Sequence, residues 1–206
     1  MMNAAEQPEQ MHVDKPQVPA TLSADSLLTS EFDYIAQSAF QANEDRARVS
    51  TYYVVTFGTL VGAFFSLQVE NAVLDNLHRA LIIVFLTLTL FGISTLLQLV
   101  RLRQAWTESV RALNQIKAYY IDQFEATNLN NAFRWQIQTI PKMYKPWSMA
   151  FLLALQVALL GGVSLGAAVY FIGLLAGKTM WLFAIFAGLI YMCVQIWFYR
   201  QLLLKE

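Results

Sequence analysis

The stretch Ala80–Val100, ALIIVFLTLTLFGISTLLQLV, decides the fold. It holds 21 residues without a charge, bounded by Arg79 and Arg101. A helix rises 1.5 Å per residue, so about 20 predominantly apolar residues cross a hydrocarbon core about 30 Å thick. Working outward, the same spacing recurs. Uncharged runs of 21, 32 and 21 residues separate Arg48 from Glu70, Lys145 from Lys178, and Lys178 from Arg200. The chain of 206 residues is 57% hydrophobic and only 14% charged, with mean hydropathy +0.44. Soluble domains carry about 25% charged residues. The sequence therefore predicts an all-α polytopic membrane protein: four transmembrane helices in two hairpins, with a cytoplasmic helical stalk or hairpin between them.

The segments follow from local signals. Residues 1–28 are polar, contain Pro8, Pro16 and Pro19 and lack an apolar leader, so they read as a retained, disordered cytoplasmic tail. Over 29–49, Phe32, Ala36, Ala39 and Phe40 recur at helical spacing. Ser30 and Asp33 take the form of a capping box, with Asp in place of Glu. No proline or glycine intervenes before Thr51, so this amphipathic helix runs on into the first span. Residues 50–100 form the first hairpin, with spans at Thr51–Gln68 and Ala80–Val100.

Over 101–146 the helix continues as a stalk, with Trp106, Val110, Leu113, Tyr120 and Phe124 as a seam interrupted at Lys117. Asn128, Asn130 and Asn131 mark its turn. Phe133, Ile137 and Ile140 open a return helix that Pro141 ends. Pro146 stands as the first residue of the third span. Residues 147–199 make the second hairpin, with spans at Trp147–Leu174 and Thr179–Tyr199, and 200–206 return to the cytoplasm.

Lysine and arginine set the orientation. Twelve basic residues fall on the side of the tail, the central segment and the C-terminus, against Arg79 and Lys178 on the other. This predicts a multi-pass protein of a bacterial inner membrane with both termini cytoplasmic. Tyr52, Tyr53, Trp147, Trp181, Trp197 and Tyr199 sit near span ends, as an aromatic belt requires.

The spans contain no Asp, Glu, Lys, Arg or His in their interiors. That argues against proton pumps, ion-coupled transporters and voltage sensors, and removes the acid, base and nucleophile sets of an enzyme. Nothing in the sequence calls for a cofactor. Cys193, the single cysteine, reads as a packing residue in the fourth span. His12 in the tail and His78 in a short loop have no ligand-like neighbours, so no metal site is expected.

Small residues give a clearer signal. Ala150, Ala154, Ala158, Gly162 and Gly166 form a stripe at spacing four, and Ser50, Gly58, Gly62 and Ser66 follow that spacing, broken at Val54. Such stripes let helix backbones approach closely, either within one subunit or between subunits. Hydroxyl and amide groups are dense in the first two spans: Thr51, Thr56, Thr59, Ser66 and Gln68, then Thr87, Thr89, Ser94, Thr95 and Gln98. They line a wet pore or bond to neighbouring helices and to their own backbone. Thr56, Thr59, Ala63 and Ser66 are the pore-lining candidates. Arg46, Arg48, Arg101, Arg103, Arg134, Lys142 and Lys145 either report topology alone or hold an anionic lipid headgroup or nucleotide-type ligand.

The run Ala42-Asn43-Glu44-Asp45-Arg46-Ala47-Arg48 leads into a polar first span, a hairpin and a long stalk helix. Over about residues 30 to 127 this layout resembles the SLATT-type bacterial membrane effectors and related four-span effectors. The simpler SLATT members have two spans, where this chain is read as having four. The resemblance implies a nucleotidyltransferase partner, an antiphage role and pore formation on sensing a nucleotide signal. Two functions follow as expectations: a homo-oligomeric channel or pore-forming effector gated through its cytoplasmic helices, or a non-conducting anchor whose helical hairpin docks a partner protein. An uncoupled transporter lacks a broken helix at the midplane.

Overall fold

The computed structural model describes residues 23–66, 74–124, 136 and 139–205. Among them the chain is all-helical, with four long helices: α1 (Ala24–Phe65), α2 (Leu74–Phe124), α3 (Met149–Leu175) and α4 (Trp181–Leu204). Three of these, α2, α3 and α4, are long and apolar enough to cross a membrane. The apolar half of α1 begins after Arg48 and ends at Phe65, about 25 Å later. Threonine, tyrosine and glycine dilute it. The expectations for the tail before Ser23, the connection at 67–73, the asparagine turn, Phe133, Arg134 and Ile137 fall outside the described residues.

Where helices begin differs from the sequence reading. The hydroxyl of Ser23 accepts the Ser26 N–H at 3.1 Å and caps α1. Ser30 lies about two turns inside and bonds back to the Ser26 carbonyl. His78 stands within α2, not in a loop, beside the Phe171 ring. Pro146 lies in a turn ahead of α3, whose cap is Ser148, accepting from the Phe151 N–H at 3.3 Å. Trp147 between them takes φ 61°, a left-handed conformation that costs a bulky residue energy and reverses the chain onto the cap. At the far end of α3, Gly177 has φ 67°. The Gly177 N–H reaches Leu174 O at 3.0 Å and the Lys178 N–H reaches Gly173 O at 2.9 Å. That paired geometry is a glycine C-terminal cap, and it makes the tight turn into α4.

The helices pack in chain order, α1 on α2, α2 on α3 and α3 on α4, with lighter contacts from α1 to α3 and α2 to α4. One buried cluster joins Tyr53, Leu96, Leu99, Ala154, Val157, Tyr199 and Leu203; a second joins Leu81, Phe85, Leu88 and Ala168. Lipid is as apolar as leucine, so between membrane helices dispersion and hydrogen bonds replace the hydrophobic force. The hydrogen bonds are explicit. Tyr53 Oη donates to Leu88 O at 3.2 Å, Tyr191 Oη to Thr89 O at 2.9 Å, and Gln195 Nε2 to Tyr191 Oη at 2.6 Å.

Tyr53 and Tyr199, expected in the aromatic belt, are buried inside the bundle, whereas Tyr52, Trp147, Trp181 and Trp197 are exposed. Cys193, expected to pack, is exposed on α4. Tyr53→Phe keeps the ring and deletes the bond to Leu88 O. It is expected to lower stability by about 0.5–1.5 kcal/mol, read by thermal unfolding in detergent.

The small-residue stripe of α3 meets partners within the chain. Ala154 packs in the first cluster. A Cβ added at Gly162 would lie 2.7 Å from Gly188 O, and one at Gly166 would lie 2.8 Å from Ala184 O. Gly188, which the sequence reading passed over, is the reciprocal partner, its Cβ position 2.6 Å from Gly162 O.

Beyond the apolar segments α1 and α2 continue together. Tyr120 Oη donates to Asp25 Oδ1 at 2.8 Å, tying the start of α1 to the end of α2. The first half of α1 is thus a companion of the α2 extension, while most of the segment expected to form the return helix lies outside the described residues. Gln136 and Thr139 bond to each other in a short turn, and residues 140–145 are not helical. The seam is also phased differently. Ala39, Ala42, Arg46 and Ser50 of α1 and Arg103, Thr107, Val110 and Asn114 of α2 are buried, while Trp106 and Leu113 are half-buried. Alanines on α1 leave room for the polar side chains opposite.

Candidate functional site

Two surfaces collect the residues singled out from the sequence. The first is the outer face of α1. Thr59, Ala63 and Ser66 are exposed and Thr56 is half-buried. Their steps of three and four place them on one side of the helix. Gly58 and Gly62, expected to pack, are exposed too, and a Cβ at either would meet nothing within 4 Å. Helix packing within the chain therefore does not use them. Ser66 turns its hydroxyl back to Gly62 O at 3.0 Å, and on the exposed side of α2 Thr87 does the same to Ile83 O at 2.9 Å. The contrast is α4, whose exposed residues include Leu182, Phe183, Ile185, Phe186, Leu189, Ile190 and Val194.

The second surface is a groove of about 570 Å³ between the first half of α1, the extension of α2 and the start of α3. Arg46 and Arg103 line it and are each only 6% exposed. Arg103 Nε donates to Met143 O at 3.1 Å and its Nη2 to Lys142 O at 3.2 Å, with its guanidinium 4.5 Å over the Trp106 ring. This pins the 142–143 connector to α2. Arg46 Nη2 donates to Asn43 Oδ1. Burial first, and then the like charge of Arg103, hold the Arg46 guanidinium below its ordinary pKa. The lining also holds Asn43, Asn114, Lys117 and Ser148, and among the described residues no carboxylate.

The other basic candidates are not brought here. Arg48 is exposed and pairs with Asp45 at 3.6 Å. Arg101 is exposed, with Gln104 Oε1 at 3.5 Å. Lys142 and Lys145 are exposed, Lys142 contributing only its carbonyl, and Arg134 lies outside the described residues. Asn114 and Ser148 were missed by the sequence reading. Their only signal was position, Asn114 one step along the buried seam of α2 and Ser148 just after Pro146. Among the described residues no group of three or more His, Cys, Asp or Glu side chains comes together. No family model matches this chain, and no curated protein or solved structure matches it.

Proposed function

We propose that this protein is a homo-oligomeric membrane channel whose path is lined by α1 and gated by the helix pair that α1 and α2 extend beyond the bilayer. One observation carries the reading. The outward side of α1 carries Thr59, Gly62, Ala63 and Ser66, with Thr56 half-buried beside them and Val55 and Leu60 as exposed aliphatics, while the outward face of α4 is mostly leucine, isoleucine and phenylalanine. A face meant for lipid resembles α4. A face of hydroxyls and small side chains suits close helix contact or water.

The second half of α1 then serves as the fourth span. It runs beside the apolar part of α2, from Tyr53 near Leu88 to Phe57, Val61 and Phe64 against the cluster of Leu81 and Phe85. The arginine and lysine bias supports a topology in which both termini and the helix pair lie on the cytoplasmic side of a bacterial inner membrane. The layout shared with SLATT-type effectors supports an antiphage role beside a nucleotidyltransferase. A second reading, a non-conducting anchor that docks a partner protein, is favoured by Tyr34, Phe40 and Tyr119, all exposed on the projecting pair.

The test joins thiol access to conductance. In a Cys193→Ser background, cysteines at Thr56, Thr59 and Ala63 should react with water-soluble thiol reagents. Purified protein in planar bilayers should show unitary currents that such reagents block. Silent bilayers under every ligand condition, with all three positions inert, would leave the anchor reading in place of the channel.

A further inference from the structure

The groove between α1, α2 and α3 has a charge balance that the described residues do not complete. Two arginines are buried in its wall, and every acceptor the structure gives them is neutral: a side-chain amide and two backbone carbonyls. Buried charges are ordinarily paired with an opposite charge. The like charge of Arg103 adds to the burial that disfavours the Arg46 guanidinium. Ser148 and Ala150 add the amino end of α3 to the same wall, where backbone N–H groups and the helix dipole present further positive potential.

A second unsatisfied group lines the groove. Asn114 is 2% exposed; its Nδ2 donates to Val110 O at 2.9 Å, while its Oδ1 has no hydrogen-bond partner. A buried acceptor without a donor is costly, and a ligand hydroxyl or amine would satisfy it. Asn114 stands eleven residues beyond Arg103 on α2, about 16 Å along the axis.

We propose that this groove binds a phosphate-bearing organic ligand. Its phosphate sits between Arg46 and Arg103 at the amino end of α3, and one of its hydroxyl or amino groups donates to Asn114 Oδ1. Arginine is suited to the phosphate because its planar fork makes paired, charge-assisted bonds. The site needs both features in one molecule, so inorganic phosphate alone should bind more weakly than a phosphate ester carrying donors. The phosphate has two possible sources, a soluble ester or a phospholipid headgroup. The position of Asn114 on α2, farther from its apolar part than Arg103, fits the soluble source.

The test uses the full chain in nanodiscs of phosphatidylcholine, with and without phosphatidylglycerol, titrated with inorganic phosphate and with adenosine monophosphate. Saturable binding by calorimetry and a rise in melting temperature are expected, with the monophosphate tighter than phosphate. Arg46→Gln should weaken both about tenfold or more. Asn114→Ala should weaken the monophosphate about tenfold and leave phosphate unchanged. A melting-temperature rise given only by phosphatidylglycerol, and lost in Arg46→Gln, assigns the phosphate to a lipid headgroup. If Arg46→Gln fails to fold, the selective loss in Asn114→Ala still decides. No response to phosphate, monophosphate or phosphatidylglycerol overturns the proposal, as does a response that both variants retain.

Discussion

Gly188→Leu is expected to separate α4 from α3 and to be among the most damaging single changes in the chain. The Cβ position at Gly188 lies 2.6 Å from Gly162 O, and that at Gly162 lies 2.7 Å from Gly188 O. Both obstacles are backbone, so no side-chain rotation relieves them. Overpacking of this kind costs about 1–3 kcal/mol where the site cannot relax. Gly162→Leu should cost a similar amount. The double variant should cost less than the sum, because a crossing already forced open receives the second side chain freely. Gly58→Ala is the contrast. Its Cβ enters open space, so the isolated subunit should keep its stability or gain up to about 1 kcal/mol from helix propensity. Thermal unfolding and size in detergent read all four. Equal melting temperatures for Gly188→Leu and the parent would show that the close crossing of α3 and α4 does not exist.

Arg103→Leu is the second large effect expected, and its natural control is Arg48→Ala. Arg103 holds two carbonyls of the connector at 3.1 and 3.2 Å and stacks on Trp106. Hydrogen bonds to a charged group contribute roughly 1.5–3 kcal/mol, and a cation over an indole about 0.5–2 kcal/mol. Leucine leaves the carbonyls of Lys142 and Met143 without that donor while relieving the repulsion with Arg46. A net loss of about 2 kcal/mol is expected. Hydrogen exchange should rise in the connector before α3. The Arg48 side chain is 61% exposed and its ion pair with Asp45 is loose, so its removal should change stability by less than about 0.5 kcal/mol. Two arginine losses of equal size would refute this account of Arg103.

Charge spacing alone made α2, α3 and α4 readable, because a membrane helix announces itself by length and composition. Position around the helix was far less readable. A tyrosine near a span end looks the same whether it faces headgroups or the interior, so Tyr53 and Tyr199 passed for belt residues until their neighbours were known. The α3 stripe lies where α3 meets α4, but its partner Gly188 stands alone in α4 with no stripe of its own. Ser30 with Asp33 offered a plausible cap, yet Ser23 caps equally well and adds two turns of helix. The pairing of Arg46 with Arg103 depends on how α1 lies along α2, which no local pattern encodes. Helical spacing put Thr59, Ala63 and Ser66 on one side of α1, but only the structure shows that this side faces outward.

The unbroken length of α2 has a mechanical meaning. Beyond Gly92 it contains neither glycine nor proline through Phe124, and α1 has none from Ala24 to Phe57. Tyr120 and Asp25 latch the two rods at their tips. The part of α2 past Val100 is an arm about 36 Å long. Such an arm turns a tilt of about 5° at the bilayer edge into a displacement of about 3 Å at its tip. Run in reverse, a few ångströms of displacement at the tip arrive at the membrane as rotation of whole helices rather than as a local bend.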